Sequence, residues 1–204
     1  MGLHYDNREG LKRVGMPDSR INQNINHLGK MLRRHFDETV LLYLDENVIN
    51  HLADSVFLEE DGPRNNRFND FSFLTAPAYK AFEGFLFQIA RDLKLSPGRD
   101  NDQVGGYYDP IKVDKEIDNI IKELEKKTGS GLKKNHKDSL KANITEMRLF
   151  LKTYRHTPAH FRGQPVKTKE MAWGNVRRIY GTIKDTVIVL QEAGMIPKPV
   201  LPPK

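Results

Sequence analysis

Apolar residues recur three or four positions apart along most of the chain, the spacing that gathers them on one side of a helix. From about Arg20 to Ala53 the stripe runs through Ile25, Leu28, Leu32, Phe36, Val40, Leu44 and Val48. It predicts an N-terminal helical segment, 18–55, made of one long helix or two. The next stretch, "LEEDGPRNNRFNDFS", is polar, rich in Asp, Asn, Gly and Pro, and reads as a loop. Thr75 then stands as a plausible N-cap with Pro77 in the first turn of "AYKAFEGFLFQIARDLKL", the most apolar helix of the chain and the expected centre of the bundle.

The pattern resumes after a polar, turn-rich connection. "VDKEIDNIIKELEKK" places Ile117, Ile120, Ile121 and Leu124 on one face, and Gly129-Ser130-Gly131 ends it. "KDSLKANITEMRLFLKTY" does the same with Leu140, Ile144, Met147, Leu151 and Tyr154. In the last helix Thr168 is the expected cap, Glu170 sits early against the dipole, and Gly194 precedes Pro197 at the end. Residues 195–204 read as an extended tail. Apart from the short and ambiguous "TVIVL" in the last helix, no run alternates with strand period. The expected fold is all-α, a single domain over 1–204 with a helical bundle of about five or six helices.

Composition narrows the classes. Hydrophobic residues make up 38% and charged residues 29% of the 204, a globular balance. No apolar run is long enough to span a bilayer, and the first residues lack the apolar core of a signal peptide, so the cytoplasm is the expected compartment. Without cysteine there is no disulfide, thiolate metal site or cysteine nucleophile. A net charge of +6 favours a polyanionic partner such as nucleic acid. The lysines of "GLKKNHKDSLK" read as a solvated face that could also track phosphates.

Two stretches carry candidate chemistry. In "LKTYRHTPAHFRG", Pro158 cannot lie deep in a helix and turns Thr157 from helical dihedrals, so the preceding helix should end near Arg155 or His156. Arg155 and His160 would flank the bend and could point into one cleft. The spacing alone is common by chance, and a histidine at a helix end can simply complement the dipole. His156 and His160 lie four apart, as in a helical zinc pair, but Pro158 interrupts the geometry and no acidic ligand is near. In "TAPAYKAFEGFLFQIARDL", Lys80 and Glu83 share a helix face in apolar surroundings. Glu83 therefore wants a cation, with Arg155 or Lys80 as the candidates.

"RHTPAH" after a helix of an all-α bundle resembles the R-x4-6-H signature of HEPN (higher eukaryote and prokaryote nucleotide-binding) ribonucleases, with His156 in the polar place after the arginine. "AYKAFEGFL" is similar to the helix of the RNase LS toxin family (RnlA/LsoA) that carries a basic residue three positions before a glutamate; Lys80 stands where that family has arginine. Together the two elements cover about residues 75–194 as a HEPN-like core. The resemblance implies a metal-independent endoribonuclease without cofactor, commonly dimeric, with RNA as substrate and an antitoxin protein as a possible partner. It implies Arg155 and His160 as the catalytic pair, supported by Lys80, Glu83 and His156. The competing reading is a non-catalytic helical module that binds RNA or a protein.

Overall fold

The computed structural model describes residues 29–62, 67–93, 118–119, 121–122, 125–126, 132–150 and 165–199. All regular structure among them is helical. Helix α1 is seen from 29 to 35, followed by α2 (Glu38–Tyr43), α3 (Glu46–Asp61), a 3-10 turn (Ser72–Leu74), α4 (Ala76–Asp92), α5 (Lys134–Phe150) and α6 (Lys169–Glu192). Helical residues at 118–119, 121–122 and 125–126 lie between α4 and α5. The fold is therefore all-α, and no helix among the described residues is long and apolar enough to cross a membrane.

The N-terminal stripe is buried as its spacing requires, with Leu32, Phe36, Val40, Leu44 and Val48 all in the core. Its described part, from residue 29 on, is divided among three helices. Asp37 and Asp45 adopt extended dihedrals and break the run. Each is followed by a glutamate in the first turn of the next helix, where a carboxylate complements the dipole. Neither aspartate side chain caps its helix. Asp37 pairs with Lys184 of α6 at 3.1 Å, and Asp45 receives Arg91 of α4 through two bonds of 2.9 and 3.1 Å.

Gln88 holds the second break. Buried in the apolar face of α4, its side-chain amide donates to the Tyr43 carbonyl at 2.7 Å, and its oxygen accepts from the Asp45 amide at 2.9 Å. One carboxamide thus satisfies backbone groups on both sides of the interruption. The Tyr43 hydroxyl donates to Asp92 at 2.8 Å, and burial, reinforced by that carboxylate, pushes its pKa up. Gln191 of α6, also buried, donates to the Thr39 carbonyl at 3.3 Å and fastens α2 from the other side.

Helices α3 and α4 form the most extensive packed pair, while α6 lies against α2, α4, α5 and the 3-10 turn. A Cβ on Gly84 would meet Val48 Cγ2 at 3.2 Å, so α3 and α4 approach closely at that point. One core joins Met31 to Ile196 and includes Phe82, Phe85, Leu86 and Ile183. Phe71, Leu74, Val166 and Ala172 make a smaller second cluster, and Trp173 packs against both.

The last helix starts and stops as its sequence predicts. The Thr168 hydroxyl accepts from the Met171 amide at 3.2 Å, and Glu170 lies in the first turn. Gly194 takes a positive φ of 69°, while the Gly194 and Met195 amides donate to Gln191 and Leu190 carbonyls in a Schellman turn. Thr75 occupies the expected cap position of α4, but its hydroxyl donates back to the Ser72 carbonyl at 2.7 Å and does not cap the helix. On α5, Lys137 and Lys141 pair with Glu125 and Asp118 at 2.8 and 2.6 Å, so part of the lysine-rich face is neutralised by the preceding segment.

Candidate functional site

Helix α4 carries the first half of the site expected from the sequence. Pro77 lies in its first turn, and Ala78, Ala81, Phe82, Phe85, Leu86 and Ile89 form its buried stripe. Lys80 lies off that stripe and is exposed, with its charge acting on Asp54 of α3. Partial burial pushes the Asp54 carboxyl above its usual value, against the opposing pull of His51 and Lys80. Glu83 is half-buried one turn further on, flanked by Phe82 and Gly84, and is not an isolated charge.

Arg155, His156 and His160, with the expected bend at Pro158, lie outside the described residues. The chain is well anchored shortly after them. The Phe71 amide donates to the Val166 carbonyl at 2.8 Å, and the Val166 amide donates to Asp70 at 3.1 Å. Asp70 also accepts from the amide of Ser72 at 2.9 Å and from its hydroxyl. Desolvation opposes ionisation of Asp70, but these three donors outweigh it and hold the carboxyl below the usual range.

This knot ties the chain after the arginine–histidine stretch to the turn that leads into α4. Val166 is six residues beyond His160, from 160 to 166, and six residues reach at most about 20 Å. Lys80 lies four residues into α4 from Ala76, a rise of about 6 Å. Val166 is thereby held beside the turn that leads into α4, six residues after His160 and eleven after Arg155 in sequence.

A second polar group lies where α1, α3 and α6 meet, and the sequence pattern does not reveal it. Arg177 grips Glu59 Oε1 through Nε and Nη2 at 3.2 and 2.8 Å. Glu59 Oε2 faces His35 Nε2 at 3.9 Å. The buried Tyr180 ring packs against His35 and Phe36 at 5.1 and 5.3 Å. Burial pushes the Tyr180 phenol up, Ser55 beside it lowers it, and Glu59 adds to the rise. Arg177 pairs with Glu59 across α6 and α3 through an exposed guanidinium, and His35 joins α1 to the group through its ring contact with Tyr180. Its members share no sequence motif, and only i,i+4 and i,i+3 pairs such as Ser55–Glu59 and Arg177–Tyr180 hint at it.

No three of His, Asp and Glu converge as metal ligands among the described residues. The chain matches no protein-family model, no curated protein sequence and no solved structure.

Proposed function

We propose that the chain is a metal-independent endoribonuclease of the HEPN type, acting in the cytoplasm as the toxin of a toxin–antitoxin pair or as an antiphage defence effector. The observation that carries this reading is the anchoring of Val166 to Phe71 and Asp70. It holds Val166, which follows the Arg155–His160 stretch in sequence, beside the turn before the helix that bears Lys80 and Glu83, and so supports the reading. The all-α fold supports the same reading.

The chemistry needs no cofactor. His160, neutral, takes the proton of a ribose 2′-hydroxyl as that oxygen attacks the adjacent phosphorus; the bond to the 5′-oxygen breaks, leaving a 2′,3′-cyclic phosphate and a 5′-hydroxyl end. Arg155 stabilises the negative charge that grows on the phosphoryl oxygens. Glu83 holds Arg155 in place, and Lys80 adds positive charge at the cleft mouth, with His156 as an auxiliary group. One strong proton-transfer residue per chain leaves the leaving oxygen in need of an acid. A homodimer that faces two copies of the stretch supplies it.

The test is cleavage of RNA by the purified chain in excess chelator, with analysis of the product ends. Cyclic phosphate ends formed at an undiminished rate support the mechanism. Loss of cleavage in chelator, restored by a divalent ion, removes it. No cleavage under any condition leaves the non-catalytic module, a reading favoured by the exposed aromatic rings beside the Asp70 knot.

A further inference from the structure

Phe68, Phe71 and Phe73 pack on one another with ring centroids 5.2 to 6.5 Å apart. Phe71 is buried and belongs to the small cluster with Val166. Phe68 and Phe73 are not: 44% and 43% of their surfaces face solvent. Met171, in the first turn of α6 beside the cluster residue Ala172, is 52% exposed. A monomeric surface has little reason to hold two large rings half in water on one short loop.

The loop is held in place. Asp70 locks it through Ser72 and across to Val166, so the rings project from a fixed turn. Cations flank them, with Arg67 next to Phe68, Lys167 next to Val166, and Lys169 at the start of α6. Arg67 and Lys167 are exposed. The carboxylates nearby, Asp70 in the knot and Glu170 bonded by its own backbone amide and the Thr168 hydroxyl, are held ionised, and the three cations outnumber them. Exposed π-faces bordered by accessible cations suit a ligand of alternating bases and phosphates.

We propose that Phe68 and Phe73 form a stacking platform for unpaired bases of single-stranded RNA, with Arg67, Lys167 and Lys169 against its phosphates. Unpaired bases alone offer their faces to such rings, so a duplex is a poor ligand. As a substrate-holding surface the platform rests on the ribonuclease reading; its test reads binding alone.

The probe is a fluorescein-labelled 2′-O-methyl oligouridine, which lacks the free 2′-hydroxyl and cannot be cut, measured as a single strand and as a duplex with its complement. Phe68→Ala and Phe73→Ala should each weaken single-strand binding about five- to hundredfold, whereas Phe73→Trp should preserve it. Arg67→Gln and Lys167→Gln should each flatten the salt dependence by about 0.7 in log–log slope. Circular dichroism checks that every variant is folded. Unchanged affinity in folded Phe68→Ala and Phe73→Ala chains, or equal affinity for duplex and single strand, overturns the platform. So does a change of oligomeric mass in those variants with probe binding intact, which would assign the patch to a protein partner. Ring-dependent binding by a chain that never cuts RNA keeps the platform and removes the ribonuclease reading; cleavage with ring-independent binding does the reverse.

Discussion

Gln88 and Phe73 depart from the usual sorting of side chains in opposite directions. Gln88 is a polar residue buried in the apolar face of α4, and Phe73 is an aromatic residue half in water. Each departure marks a different kind of constraint. At Gln88 both halves of the carboxamide are used, one for the Tyr43 carbonyl and one for the Asp45 amide, so burial costs little and the break between α2 and α3 is fixed. Phe73 and Phe68 pack on each other and on the buried Phe71, yet each keeps close to half of its surface in water: the polar atoms of the loop are tied down by Asp70, and the outer ring faces are left outside. The first region uses its unusual residue to specify the fold. The second presents its unusual residues to something else.

The contrast is sharpest in stability. Gln88→Leu keeps the volume but orphans a carbonyl and an amide, and should cost about 2–4 kcal/mol in urea unfolding. A cost below about 0.5 kcal/mol would mean the helix break holds without it. Asp70→Ala removes the acceptor for three donors and should cost about 1–2 kcal/mol near neutral pH. Because the Asp70 carboxyl is held below its ordinary value by those donors, against desolvation, its contribution is complete above the unfolded value and fades as pH falls through the lowered one. The stability gap between the parent chain and Asp70→Ala should therefore close in acid; a gap that widened in acid would contradict the knot. Phe73→Ala should cost about 0.5–1 kcal/mol, the loss of its ring packing on Phe68 and Phe71, in keeping with a ring that mainly serves the surface. A loss of several kcal/mol would move Phe73 from the platform into the core.

Helix α6 was legible almost residue by residue, because Thr168, Glu170 and Gly194 are local signals whose hydrogen bonds close within a few residues. The breaks at Asp37 and Asp45 were not, since the apolar stripe runs through them in register and the groups that fix them lie elsewhere. Gln88 reaches Asp45 across 43 residues, and Lys184 reaches Asp37 from the last helix. Thr75 shows the limit of a local signal, for its hydroxyl found the Ser72 carbonyl before it found the helix. In the site, the half-buried position of Glu83 is in keeping with its place in sequence among Phe82, Phe85 and Leu86, whereas the exposure of Phe68 and Phe73 depends on which loop face meets α6. The pairing of Phe71 with Val166 is a tertiary event, and no local signal announces it.

The most direct test of the ribonuclease account is single-turnover RNA cleavage by the full chain and by His160→Ala, with thermal unfolding of both. The account predicts a rate lower by about a hundredfold or more in the variant, with nearly the same melting temperature. Equal rates would contradict it, and a variant that loses activity only because it unfolds would assign His160 to packing or to a helix end.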